Sequence, residues 1–149
     1  MDDRFPTETS GMLRDSGWFP QRNVSAALVL PLDFAPFPAA LDVLSEFGNL
    51  RIGRRGPGIE FARTPVVLDP MMAVGESDRF VEFAAPLGVS LYPLGETDDG
   101  HGFITIDERG RVFLIFDDLY FVGHTFDRAL DNLLRGAVRP RIVDEHGQW

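Results

Sequence analysis

The sequence predicts an α+β fold: a mostly antiparallel, twisted sheet of about six strands with about four flanking helices. Three observations lead there. Helical periodicity recurs in four separate places, and the segments between them read as short apolar strands bounded by Gly, Pro and Asp. Helices and strands do not alternate one for one, as they would in a doubly wound parallel sheet. No internal repeat, low-complexity tract or Gly/Ser linker offers a place to divide the chain, so residues 1–149 are read as one domain with 139–149 as a tail.

The first helix is expected from about Glu8 to Ser16, with Thr7 as N-cap, Gly17 as the stop and a thin apolar face of Met12 and Leu13. Pro38 suits the first turn of a second helix, in which Leu41, Leu44 and Phe47 recur at helical spacing before Gly48. A third begins near Ser77 and Asp78, carries Phe80, Phe83, Ala84 and Leu87 on one face, and closes at Pro86 and Gly88. The fourth is capped by Thr125, and Phe126, Ala129, Leu130, Leu133, Leu134 and Ala137 form its apolar stripe. Asp127 near its start and Arg135 near its end both complement the helix dipole.

The expected strands are "NLRIG" and "GIEFA", joined by the turn "RRGPG", then "PVVLD", "VSLYPLG" and the two arms of the hairpin "GFITIDERGRVFLIF". Gly110 supplies the permissive residue of that last turn. The closing "RPRIVDEHGQW" has two readings, an extra strand through Ile142 and Val143 or a loose end.

Composition narrows the chemistry. Cysteine is absent, which removes disulfides, thiolate metal sites and cysteine nucleophiles and suits a reducing cytoplasm. All fourteen basic residues are arginines, so Schiff-base and lysine-nucleophile chemistry is excluded. The N-terminus "MDDRFPTETS" lacks the basic flank and apolar run of a signal peptide, and no segment is apolar for long enough to span a bilayer. A cytoplasmic protein without membrane contact is expected. Net charge is −9. Residues 76–149 hold fourteen acids against seven arginines. Such a chain is repelled by phosphate backbones and attracts basic protein surfaces, so no nucleic-acid partner is expected. No heptad pattern or long apolar stripe calls for an oligomer, so a monomer is expected.

No catalytic constellation stands out. "GETDDGHGF" gathers Glu96, Asp98, Asp99 and His101, a possible small metal-dependent hydrolase, but its spacing fits neither a calcium loop nor a zinc pattern, and a solvated loop explains it better. His124 at a helix entrance reads as a capping or packing residue, and His146 falls in the tail. "GRRGPG" from Gly53 to Gly58 is cationic but lacks the strand-to-helix setting of a phosphate cradle. No metal, cofactor or catalytic residue is expected. The acids Glu96, Asp98, Asp99, Asp107, Glu108, Asp117 and Asp118 fall on hairpin ends and neighbouring loops. There they would be exposed and able to steer a basic partner.

Two stretches remain unexplained by composition. In the first, a helix ends in L-x-x-x-G-W-x-P-x-R, with Leu13, Gly17, Trp18, Pro20 and Arg22. In the second, a helix runs through Phe47, Gly48, Asn49 and Leu50 into Arg51 and Ile52. Further along come Pro93, Leu94, Gly95 and Glu96, and then a turn of Ile106, Asp107, Gly110 and Arg111. Last are Gly123, Thr125, Phe126, Ala129 and Leu130 at the final helix. In this order the four markers resemble the SUKH superfamily of immunity proteins (the Smi/Knr-like fold), in particular its third subgroup.

Two positions depart from that pattern. Gln21 stands where the subgroup often has glycine, which points to a slightly different turn, and Asn49 replaces the second glycine of F-G-G-L, a mild change because asparagine tolerates left-handed backbone. The resemblance implies a non-enzymatic protein that binds and neutralises a cognate toxin domain, often a nuclease or deaminase. The other reading it leaves is an interaction module or regulator of the same fold with no toxin partner. Within the motifs, Trp18 is expected to pin the first helix to the sheet, and Arg22 to bond to nearby carbonyls or a carboxylate.

Overall fold

The computed structural model describes residues 4–97, 100 and 102–149. Its strands are β1 (Arg51–Ile52), β2 (Val66–Val67), β3 (Leu91–Thr97), β4 (Phe103–Asp107), β5 (Val112–Ile115), β6 (Leu119–Gly123) and β7 (Arg141–Ile142). They form one seven-stranded sheet in the order of the chain, and each neighbouring pair is antiparallel. The helices are α1 (Thr7–Asp15), α2 (Pro38–Phe47), α3 (Ser77–Ala84) and α4 (Phe126–Arg135), with 3-10 turns at Ser25–Ala27, Pro70–Ala73 and Ala85–Leu87.

The α+β class and the four helices agree with expectation, and the strands differ in two places. "GIEFA" is not a strand. Its backbone N–H groups, from Ile59, Glu60 and Phe61, instead donate to the carbonyls of Arg135 and Gly136 at the end of α4. Those carbonyls lack intrahelical donors, and the 59–61 segment supplies them. Gly58 allows the approach, since a Cβ there would meet the Phe61 carbonyl oxygen at 2.0 Å. The other difference is "LYFVG", which forms β6 and pairs with both β5 and the tail. The tail docks as β7, with the Val143 N–H donating to the Leu119 carbonyl. At α1, Thr7 is the first helical residue rather than the cap, and Pro6 takes the N-cap place.

The sheet is covered on both faces, which is why its central strands read as near-continuous apolar runs instead of alternating ones. Ile104, Ile106, Val112, Leu114 and Val122 face α1, α2 and α4, where Leu13, Leu44, Phe47, Leu130 and Leu133 complete one core. The alternate residues Phe113, Ile115, Leu119 and Phe121 face the other way, against Phe80 and Ala84 of α3. Trp149 closes that second core, stacking on Phe121 at 4.3 Å and 12°. Between β2 and β3 the backbones approach so closely that a Cβ on Gly95 would lie 1.9 Å from the Val67 carbonyl oxygen. Glycine is required there.

α4 is amphipathic, yet two polar residues on it are buried. The Asn132 amide donates to the Val122 carbonyl at 2.9 Å, tying the helix to β6. The Asp131 carboxylate accepts from Thr9 of α1 at 2.6 Å and from two nitrogens of Arg135 at 2.8 and 2.6 Å. Burial alone would raise the Asp131 pKa. The hydrogen bonds from Arg135 and Thr9, with the charges of Arg135 and Arg128, outweigh it and hold the carboxyl below its ordinary value. A folded-state value below the unfolded one adds stability above the unfolded value of about 3.9, and that stability is lost as pH falls through the lower folded value. Asp131→Asn should therefore flatten the acid limb of a stability-versus-pH curve by up to about 1.4 kcal/mol per pH unit below pH 4. Urea unfolding of both proteins between pH 2 and 6 reads this directly, and parallel curves would refute it.

Candidate functional site

The two unexplained stretches meet in space. Trp18 is buried, and its indole N–H donates to the Glu46 carboxylate at 3.0 Å. Its ring lies parallel to Phe47, with centroids 6.3 Å apart and planes at 4°. Phe5 meets both rings edge-on, at 6.0 and 6.4 Å. From the turn after Trp18, the Arg22 guanidinium reaches back to the last carbonyls of α2, Glu46 O at 2.6 Å and Gly48 O at 2.9 Å. Arg4 then links the Glu46 carboxylate at 2.8 Å to Asp127 of α4 at 2.9 Å. Gly48 admits no side chain, because a Cβ would sit 2.5 Å from the Leu44 carbonyl oxygen. Trp18, Arg22, Phe47 and Gly48 thus form an internal clasp that joins three helices, while Gly17 and Pro20 at its entry are exposed turn residues.

The two departures from the glycine pattern occupy the backbone that glycine favours. Gln21 has φ 68° and Asn49 has φ 67°, and no other described non-glycine residue has positive φ. The turn at Gln21 is therefore the left-handed one that glycine would take, not a different turn.

The hairpin acids do not form a single surface. Asp107 was expected to be exposed but is fully buried. Its carboxylate accepts from the N–H groups of Arg109 and Arg111, both at 2.9 Å, and from the Arg111 side chain at 2.6 Å. This closes the turn in which Gly110 has φ 85°. The four-residue turn between β4 and β5 needs its donors satisfied, and an aspartate at the end of the preceding strand does so. Glu108 is exposed at that same end of the sheet and accepts from the Ser90 N–H at 3.0 Å.

Asp117 and Asp118 are exposed in the β5–β6 turn, at the opposite end, where Ile115 pairs with Phe103 and Phe103 with Glu96. The length of β4, roughly 13 Å, separates the two ends. Asp98, Asp99 and His101 lie outside the described residues. Among the described residues no group of three or more His, Asp or Glu is placed to hold a metal ion.

Two surface grooves went unnoticed in the sequence. One of about 520 Å³ has an apolar floor of Phe34, Phe80 and Leu91, with Asp33 and Glu108 on its lining. The other, of about 400 Å³, is lined by His124, Arg128, Arg139 and Arg141. In the first case the lining joins residues 33–35, 77–91 and 108. In the second, the arginines follow no motif spacing.

Among the described residues no helix is long and apolar enough to cross a membrane. The family model described as SUKH-3 immunity protein matches residues 5–136. No curated protein and no solved structure matches the chain. The matched span holds all four sequence markers and ends at Gly136, so β7 and Trp149 lie beyond it.

Two substitutions test the structural roles. Gln21→Gly should raise stability by about 0.5–1 kcal/mol, because glycine takes the left-handed backbone without a Cβ penalty. A lower midpoint in urea would contradict the assignment. Asp107→Ala should cost about 3 kcal/mol, since it strands two turn N–H groups and a partly buried guanidinium. A loss under 1 kcal/mol in the same assay would mean the carboxylate does not organise the turn.

Proposed function

This chain belongs to the SUKH-3 immunity protein family, and from that premise we propose that it binds a cognate toxin domain, a nuclease or deaminase, and neutralises it without catalysis. The family match over residues 5–136 carries this reading. The clasp is consistent with it: the most distinctive motif residues are used internally, as scaffold.

The proposed contact surface is the end of the sheet bearing Glu96, Asp117 and Asp118, with Asp98 and Asp99, close to Glu96 in sequence, as further contacts. Toxins that act on nucleic acid present cationic faces to phosphate, and carboxylates at the tips of a rigid sheet imitate that charge. Asp107 serves the fold and is left out. Glu108 contributes at the other end, beside Asp33 on the 520 Å³ groove. The protein acts in the cytoplasm, where such a toxin would find its substrate.

The test uses the product of the gene beside this chain's own, with binding followed by calorimetry and its toxicity assayed in parallel. The double variant Asp117→Arg/Asp118→Arg should weaken binding by about tenfold or more, and wild-type binding should weaken as salt rises from low to physiological strength. Glu108→Arg should have the smaller effect. Tight binding that ignores both salt and charge reversal would refute phosphate mimicry. A partner with no toxic activity would place the chain as an interaction module instead.

A further inference from the structure

Along the β6–β7 edge of the sheet, the molecule carries a groove opposite in sign to the acidic turns. It lies where β6 runs into α4 and the chain leaving α4 passes back towards β7, and it measures about 400 Å³. Its charged lining is Arg128, Arg139, Arg141 and His124, with no carboxylate among the lining residues. Among the described residues none of these three arginines is in an ion pair. The nearby carboxylates of Asp127 and Asp131 are engaged by Arg4 and Arg135 instead. Arg139 donates to the Glu60 carbonyl at 3.0 Å, and Arg141 lies 5.9 Å from the Phe121 ring centre. A guanidinium carries five N–H donors, and among the described residues Arg139 spends one, on Glu60, so donors of all three arginines are left for a ligand.

In a chain of net charge −9, three guanidiniums line one groove without an ion pair among the described residues, and the carboxylate that feels Arg128's charge, Asp131, is itself bound to Arg135. We propose that this groove is a binding site for a small phosphate-bearing anion. Guanidinium forks match phosphate oxygens in pairs, and three of them suit a dianion or higher charge better than a single carboxylate. The volume falls within the range of small-ligand sites, about 300–1,000 Å³. The acidic remainder of the surface repels a long polyanion, which restricts the ligand to one that the groove itself can enclose. Val122 and Val138 add apolar wall, so an organic phosphate with a compact body fits as well as the bare ion. Its lining includes none of the proposed toxin-binding acids, and the assignment stands independently of the immunity reading.

The experiment titrates the full chain with inorganic phosphate and with pyrophosphate, against chloride at matched ionic strength, and follows the thermal midpoint and the heat of binding. A ligand bound only by the folded state raises the midpoint saturably. Both anions should do so, pyrophosphate at the lower concentration. Arg128→Ala and Arg139→Ala should each weaken binding by about tenfold or more. The side chains of both are exposed, and the variants should unfold at the wild-type midpoint in chloride. If one variant is itself destabilised, the other and the calorimetric affinity decide. No saturable effect beyond chloride, or equal affinity in the wild type and both variants, would overturn the assignment.

Discussion

The end of α2 is the constraint on which the rest of the molecule turns. A helix leaves its last carbonyls without donors, and here that end is buried beneath the N-terminal segment. Arg22 supplies the donors from outside the helix, and the Glu46 carboxylate one residue earlier collects Trp18 and Arg4. Gly48 must be bare for the chain to leave the helix at that angle. Remove the guanidinium and two carbonyls lose their partners in a place water reaches poorly. The same change frees the turn that seats Trp18 on Phe47, and Phe47 in turn packs on Phe126 of α4 at 4.8 Å. One helix terminus thus fixes the relative placement of α1, α2 and α4 over the sheet.

Much of this was legible in residue order, and the failures have physical causes. α4 was readable to within a residue or two because its stripe, its Thr125 cap and its flanking charges agree. The β4–β5 hairpin was readable from its turn. "LYFVG" hid because an apolar run without alternation fits a buried strand and a buried helix alike, and only its pairing on both sides decides. "GIEFA" misled for the opposite reason: its alternation is local, while its N–H groups answer a helix end 75 residues away. Asp107 was misplaced because a turn aspartate is usually solvated. What buries this one is the arginine four residues on, which folds over the carboxylate. The arginine groove had no sequence signal, since it is assembled from a strand end, a helix face and a returning tail.

The positions that tolerate no change and those open to change are sharply separated. Gly48, Gly95 and Gly123 each face backbone atoms within 2.7 Å of where a Cβ would sit, so any side chain there forces the scaffold to move. Asp117, Asp118 and Glu108 stand in exposed turns, where substitution seldom alters stability by more than about 0.5 kcal/mol. Charge at the tips of the sheet can therefore be rewritten without disturbing the core. A rigid antiparallel sheet with short turns provides that freedom.

The sheet order repeats the order of the chain from β1 to β7. Every strand pairs only with its predecessor and successor, so no pairing waits for a distant segment to arrive. The longest connection, from β2 to β3, is bridged by α3 and two 3-10 turns instead of open coil. Strand pairings between chain neighbours go with faster folding than pairings between distant segments. The strands can add one after another as the chain emerges, each template strand already in place. The exposed edge at any moment is the one about to be covered, which shortens the time during which an unpaired edge could capture another molecule.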